Sequence, residues 1–284
     1  GNSILTDDFD DWKVAIVERD VFGGTCLNRG CIPSKMFIYP ASIVETVRTA
    51  GALGVDAHVD NVRWSEIVER VFSRIDPIAA GGEDYRRSLD NVTVFSEDAR
   101  FVGHKQVQVG DQVITANTIV LAAGARPRIP NIPGLDDVRF HTSATIMRVP
   151  TPPRRLAILG GGFIACEMGH VFQAAGSHVT MINRSQQLLR AHDDEISERF
   201  TQVFGERFDL RCGETPTQVR YEGDEIIIEF PTGDPLVVDE LLVATGRIPN
   251  GEQLAVAETG VEINESGYVV VDDHQRTGVD GIWA

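Results

Sequence analysis

Two cysteines, Cys26 and Cys31, stand with four residues between them in the run GGTCLNRGCIPSK, with glycines before each and Pro33 and Lys35 just after. Thiols this close can hold a metal, lie buried and inert, or cycle between dithiol and disulfide. In an undistorted helix a five-residue step separates Cα atoms axially by ~7.5 Å. A disulfide needs them roughly 4.4–6.8 Å apart. A bridge here therefore requires a bent or irregular backbone, which Gly23, Gly24 and Gly30 permit. A short bridge of that kind is readily reduced, which suits catalysis better than stapling. A zinc half-site would lack its second Cys/His pair nearby, and two unrelated buried thiols remain the plain alternative.

A second chemistry-bearing run is LAILGGGFIACE. Gly160, Gly162 and Ala165 fit G-x-G-x-x-A between a strand and a helix. Missing Cβ atoms there let a pyrophosphate reach the amides of a helix N-terminus. An NAD site carries Asp or Glu at the end of the following strand, to bond the ribose 2′-hydroxyl. Here that end reads Asn183-Arg184-Ser185, with Arg190 further on. Two arginines and no acid suit a 2′-phosphate, so the reading is NADPH. Gly1, Asn2 and Ser3 read as the end of another glycine-rich turn, and Glu18 closes the strand after it, where an acid would hold an adenosine ribose. Two dinucleotide sites in one chain point to a flavin and a nicotinamide.

The elements that must position these residues alternate. KVAIVE (13–18) is strand-like, 31–50 is helical, and VRWSEIVERVFSRIDPIA (62–79) is a second helix. From Asn91 to Gly124 the pattern alternates with period two around a Gly110-Asp111 turn. It predicts an antiparallel meander feeding a buried strand, Thr118–Ala122. A proline-rich linker, ARPRIPNIPGLDD, precedes a second α/β unit: strand LAILG, helix to about Ala175, strand HVTMIN, and strands at DEIIIEF and ELLVATG. The expected fold is α/β, two doubly wound dinucleotide-binding domains plus the antiparallel meander. The boundaries expected are 1–148, 149–250 and a return to the first domain over 251–284. GNSI reads as the tail of a turn whose strand is missing, and GIWA stops inside a strand-like run. The chain is therefore read as a segment truncated at both ends.

With 284 residues, 42% hydrophobic, the chain is large enough for two domains. Its net charge of −16, without a basic block, argues against nucleic acid or anionic membrane as partner. No apolar run approaches ~20 residues. No signal peptide is visible, and four cysteines do not make a disulfide scaffold, which favours a reducing cytoplasm.

GGTCLNRGCIPSK, VLAAGARP, GGGFIACE, LLVATGRIPN and QRTGVDGIWA stand in an order that resembles the flavoprotein disulfide reductases over essentially the whole chain. The resemblance implies FAD and NADPH as cofactors, no metal, a small-molecule disulfide as substrate, and a homodimer formed through a C-terminal domain. It makes Cys26 the interchange thiol, Cys31 the charge-transfer thiol beside the flavin, and Lys35 with Glu167 an ion pair near the flavin. Cofactor contacts carry over to Gly1, Asn2, Ser3, Glu18, Gly24, Thr25, Lys35, Ala123 and Gly124. They carry over equally to Gly160, Gly162, Phe163, Ile164, Ala165, Glu167, Asn183, Arg184, Arg190, Ala244, Thr245, Gly246 and Arg247. Phe163 takes the place of an aromatic gate. The implied cycle runs from NADPH to FAD, to the Cys26–Cys31 disulfide, and then to substrate. The family's acid–base histidine belongs to the partner subunit's C-terminal domain, so His141 and His192 receive no catalytic role. Cys166 and Cys212 are read as small buried hydrophobes.

Among the family's substrates, the first helix, ILTDDFDDW, looks a turn short and carries Asp7, Asp8, Asp10 and Asp11. That charge would repel glutathione's carboxylates and tolerate the uncharged sugar–inositol arms of mycothione. GNSILTDDF, CIPSKMFIYPA, SRIDPIA, GEDYRR and FHTSATIMR also look most like the mycothione-reducing branch. Glutathione, lipoamide and mercuric reductase activities are the alternatives, with a nucleotide-binding fragment lacking activity as the non-enzymatic one.

Overall fold

The computed structural model describes residues 5–284, which form a mixed α/β fold. In chain order come β1 (Val14–Val17), α1 (Gly24–Arg29), α2 (Cys31–Thr49), α3 (Trp64–Arg87), β2 (Val92–Phe95), β3 (Ala99–Gly103), β4 (Gln106–Val109), β5 (Gln112–Thr115), β6 (Ile119–Val120) and β7 (Ala125–Pro127). There follow β8 (Arg155–Leu159), α4 (Phe163–Ala174), β9 (His178–Asn183), α5 (Asp194–Gly205), β10 (Asp209–Cys212), β11 (Gln218–Glu222), β12 (Glu225–Glu229), β13 (Leu236–Val238), β14 (Glu240–Val243), β15 (Arg247–Pro249) and β16 (Ile282–Trp283). These elements fall into two compact units. The first holds the described residues up to Asn28, Ile75–Arg126 and Arg247–Ala284; the second holds Arg29–Arg74 and Pro127–Gly246.

The second unit is built on a parallel sheet of order β10-β9-β8-β14, with α4 crossing from β8 to β9 and α5 from β9 to β10. Leu156–Leu159 and Val179–Ile182 are buried, because both faces of the central strands are covered. Side chains alternate along each strand. Ile158 and Met181 meet Gly169 of α4, where the missing side chain lets the helix approach closely. Ala157, Leu159 and Ile182 point to the other face. There they pack with Val219, Ile226, Ile228 and Val238 of the antiparallel sheet β11-β12-β13. Against the outer side of α4 lie Trp64 and Phe37, with ring centroids 5.0 Å (Trp64–Phe172) and 5.3 Å (Phe37–Trp64) apart.

The first unit holds two separate parallel pairs, β1 with β2 and β16 with β6, and the antiparallel sheet β3-β4-β5. Its core gathers Phe101, Val256, Val261 and Ile282. The structure departs from expectation at five places. The meander is narrower than its period-two pattern, since Val92–Phe95 pairs in parallel with β1. The stretch Thr118–Ala122 is not a buried strand: only two residues pair, with β16 alone, and Val120 stays 47% exposed. Among the described residues no strand joins the two parallel pairs into the larger second sheet expected. The acidic stretch forms a single turn of 3-10 helix, Asp7–Phe9, rather than an α-helix. Helix α3 also outruns its expected end near Ala79. It passes Pro77 and is supported in its last turn by the Arg87–Glu83 pair at 2.7 Å.

Candidate dinucleotide and dithiol sites

In the second unit, Gly160 leaves β8 with φ +131, and a Cβ there would come within 2.3 Å of the Ala244 carbonyl oxygen. Glycine is thus required by the backbone of β14's exit, not only by a ligand. Gly162 differs: nothing lies within 4 Å of the position its Cβ would take. It begins α4 without any side-chain cap, so the first-turn amides at Phe163–Ala165 face outward, an arrangement suited to a phosphate. Phe163 is 64% exposed.

Asn183 ends β9 and is buried. Its amide Nδ2 donates to the carbonyls of Ser185 (3.0 Å) and Gln187 (2.9 Å), folding the following loop back on itself. Leu189 sits in the left-handed region at φ +52, which a bulky residue adopts only when held. Its N–H donates to the Gly161 carbonyl at 2.7 Å, and its own carbonyl accepts from the Ser197 hydroxyl at 2.9 Å. The loop bearing Arg184 and Arg190 is therefore pinned to the glycine turn. Both arginines are exposed, and among the described residues neither forms an ion pair. The residues present fit a dinucleotide carrying a 2′-phosphate: an open Gly162, uncapped amides and unneutralised cations lie along one end of the sheet. Asn183 is a loop lock here, and nothing in the sequence distinguished that role from direct ligand contact.

Helices α2 and α4 pack side by side in the same unit. Lys35 forms an ion pair with Glu167, Ser42 Oγ lies 3.3 Å from His170 Nε2, and Arg48 donates to the Gln173 and Ala174 carbonyls at 3.3 Å, closing α4's end. Lys35 lies one turn into α2 from Cys31, and Glu167 one turn into α4 from Phe163. The pair therefore brings the thiol-bearing start of α2 to the same end as the glycine turn. The Lys35 side chain is 63% exposed and that of Glu167 24%, so the pair adds little to stability.

The helical run through the dithiol is broken at Gly30, whose φ of −140° and ψ of −121° end α1 and start α2. The backbone there is irregular, as a Cys26–Cys31 bridge would require. Cys26 and Cys31 are exposed thiols. In the first unit, buried Asn28 donates through Nδ2 to the carbonyls of Phe22 (2.9 Å) and Gly24 (3.1 Å), fixing the turn that starts α1. Gly24 (φ +67) and exposed Thr25 sit on that turn. Glu18 follows β1 and accepts the Asp20 N–H at 3.0 Å. Ala123 and Gly124 follow β6 and line a cavity of about 250 Å³ with Leu121, Leu254 and Tyr268. Glu18 and Ala123–Gly124 thus stand at C-terminal ends of parallel strands, the end at which α/β sheets take nucleotides. Buried Asn250 ties this loop down, donating to the Ala123 carbonyl at 2.9 Å, and Arg247 donates to Ala125. Asn28 and Asn250 are structural locks, and their sequence signal is an asparagine set near a glycine in each motif. Gly1, Asn2 and Ser3 lie outside the described residues.

Cys166, Cys212, His141 and His170 sit among packed neighbours, whereas His58, His104, His178, His192 and His274 are exposed. Burial, reinforced by Glu167, pushes the Cys166 thiol up to about 12, so it stays protonated. Cys212 is half-buried rather than buried, and burial raises it too. His141 lies between Thr145 (3.0 Å) and Glu240 (3.3 Å), and burial outweighs Glu240 in lowering its pKa. His170, beside Arg207 at 3.2 Å, is lowered by burial and then by that arginine. Among the described residues no group of three or more His, Cys, Asp or Glu could hold a metal. No helix among them is long and apolar enough to cross a membrane.

A βαβαβ sheet with a glycine turn and an uncapped helix behind it defines a dinucleotide-binding α/β protein. Residues 6–284 match the model for pyridine nucleotide-disulphide oxidoreductases, and the chain belongs to that family. It is 44% identical over 292 aligned residues to the mycothione reductase of Mycobacterium tuberculosis (strain ATCC 25618 / H37Rv), covering 100% of this chain and 63% of that protein. The glutathione reductase of Burkholderia cepacia is 33% identical over 96% of this chain and 60% of its own length. Among solved structures, the HOCl-induced flavoprotein disulfide reductase RclA of Escherichia coli superposes with a TM-score of 0.83 at 25% identity, covering 96% of this chain and 60% of that one. The chain thus spans less than two thirds of the length of these proteins.

Proposed function

We propose that this chain is the cofactor- and dithiol-bearing part of an NADPH-dependent FAD disulfide reductase acting on a low-molecular-weight disulfide, with mycothione as substrate. The observation that carries the reading is the Lys35–Glu167 pair, which sets Cys31 and the nucleotide turn at one end of two packed helices. In this reading 1–148 and 251–284 carry the FAD part and 149–250 the NADPH part, with the segment from Pro127 to Arg148 folding into the NADPH-bearing second unit. When bound, the two cofactors supply a pair of electrons and keep the cysteines reduced.

The chain's own residues do the rest. Gly160 and Gly162 leave room for the pyrophosphate, and the first-turn amides of α4 with Arg184 and Arg190 hold the anionic groups. Exposed Cys26, as thiolate, attacks one sulfur of the substrate disulfide and expels the other half as a thiolate. Cys31 then attacks Cys26, releasing the second half and leaving Cys26 and Cys31 bridged. The broken backbone at Gly30 permits that bridge. The proton for the leaving thiolate is assigned to a histidine of the partner subunit's C-terminal domain, in a homodimer working in a reducing cytoplasm.

The choice of mycothione rests on the higher identity to mycothione reductase and on the four exposed aspartates, Asp7, Asp8, Asp10 and Asp11. Their charge disfavours an anionic disulfide whether or not they are helical. The test is NADPH oxidation by the full-length, FAD-loaded protein with mycothione, glutathione disulfide and lipoamide in parallel. Selective turnover of mycothione supports the reading. Preference for glutathione disulfide overturns the substrate, and turnover of none overturns the disulfide reductase.

A further inference from the structure

We propose that Arg128 is a third cationic residue of the nicotinamide dinucleotide site, binding the pyrophosphate shared by NADP and NAD rather than choosing between them. The inference rests on the nicotinamide reading above. It begins with a clamp: the Arg128 N–H donates to the Gly246 carbonyl at 2.8 Å, and the Arg128 carbonyl accepts from the Thr245 hydroxyl at 2.8 Å. Its main chain is thereby fixed to the turn that follows β14. Gly246 has φ +132, and the atom nearest to where its Cβ would stand is Arg128 Nε, at 3.9 Å. The guanidinium stem thus lies over a residue with no side chain.

The same turn abuts the glycine motif. Ala244 O and Thr245 N are 2.3 and 3.3 Å from the place a Cβ on Gly160 would occupy. Gly160, Thr245–Gly246 and Arg128 therefore form one continuous stack in the second unit, at the C-terminal ends of β8 and β14, beside the uncapped start of α4. Arg128 is exposed, and among the described residues it makes no ion pair, although acids outnumber bases in this chain by 42 to 26. A cation held on a rigid backbone and left without a carboxylate is preorganised for an anion. Arg184 and Arg190 stand on the other side of the glycine turn, after β9, where a 2′-phosphate belongs. Arg128 is placed instead by β14, so the anion within its reach is the diphosphate bridge.

The experiment titrates the full-length protein and its Arg128→Gln, Arg128→Lys and Arg184→Gln variants with NADP, NAD and 2′-AMP. Arg128→Gln should weaken NADP and NAD by the same factor, about tenfold for one charge-assisted hydrogen bond, and leave 2′-AMP unchanged. Arg128→Lys should restore part of the loss, which a merely structural role would not do. Arg184→Gln should weaken NADP and 2′-AMP but spare NAD. Equal affinities for wild type and Arg128→Gln, or a changed NADP/NAD ratio, would overturn the assignment of Arg128 alone. A wild-type protein that binds neither dinucleotide would instead overturn the nicotinamide reading on which it rests.

Discussion

An acid at the end of the second strand is the usual device for choosing NAD, so Asn183→Asp looks like a simple route to an NADH-using variant. The structure argues that it fails. Asn183 is only 8% exposed, and both N–H bonds of its amide are used, at 3.0 Å to Ser185 and 2.9 Å to Gln187. Its side chain also fills the space beside Gly161, 2.6–2.9 Å from where a Cβ would stand. A carboxylate keeps the shape but has no hydrogen to donate. The Gln187 carbonyl loses its donor and the Ser185 carbonyl keeps only the Gly213 N–H at 3.1 Å, together about 1–2 kcal/mol, and a buried negative charge facing them adds about 1 more. A loss of about 2–3 kcal/mol corresponds to a melting temperature lower by about 4–12 °C. The released segment carries Arg184 and Arg190, so NADP affinity should fall without any gain for NAD. The pH dependence has a definite sign. The introduced carboxyl has its folded-state pKa raised, because only its protonated form can donate. The folded variant therefore binds the extra proton, and its deficit is full at neutral pH and shrinks as pH falls through that raised pKa. Thermal melts at pH 5 and 7.5, with NADP and NAD titrations, make the comparison. A variant as stable as wild type that has exchanged NADP for NAD would refute the loop-lock argument.

Three further outcomes are expected of the full-length, FAD-loaded enzyme. Arg184→Glu should lower the NADPH/NADH preference by about ten- to hundredfold, the worth of one charge-assisted hydrogen bond to a 2′-phosphate; an unchanged ratio in steady-state kinetics would remove Arg184 from that role. Cys26→Ser should keep flavin reduction by NADPH, read by bleaching of the flavin absorbance, while disulfide turnover is lost; retained turnover would mean that another thiol does the exchange. Lys35→Met should change stability by about 1 kcal/mol or less, since the lysine is largely exposed, yet slow flavin reduction in stopped flow. A large drop in melting temperature with an unaltered rate would make the ion pair structural.

The second unit was legible because its information is local. A continuous apolar run such as Leu156–Leu159, a glycine turn and a helical period fix β8, α4 and β9 to within a residue or so of the expected bounds. The first unit was harder, since strand partners are set by distant residues. Val92–Phe95 alternates as an antiparallel strand would, but its partner is Val14–Val17, far back in the chain. Thr118–Ala122 is apolar enough for a buried strand, yet a single two-residue pairing leaves it half-covered. Site residues divide the same way. Glycines and cysteines announce themselves by type and spacing; the cysteine interval called for an irregular backbone if the two thiols bridge, but not for its place at Gly30 rather than Gly23 or Gly24. The asparagines could not: Asn28, Asn183 and Asn250 act through carbonyls that only the folded loops bring near. In the sequence Arg128 is one residue of a proline-rich linker, and its partners Thr245 and Gly246 lie more than a hundred residues away.

A chain of net charge −16 is an unpromising host for two polyanionic cofactors unless the field at the site differs from the field of the whole. At physiological salt the Debye length is ~8 Å, so surface carboxylates further off are largely screened. What a bound phosphate feels is set within that radius. In the second unit the start of α4 is uncapped by any side chain, and the loops flanking the glycine turn carry arginines with no carboxylate partner among the described residues. Elsewhere the same unit neutralises its arginines freely, as in Arg155 with Glu225 and Asp239 or Arg220 with Glu222 and Glu229. Leaving Arg184, Arg190 and Arg128 unpaired at one sheet edge is therefore a local choice rather than a shortage of acids. On the proposed reading it is the feature that would let an acidic protein hold a dinucleotide there.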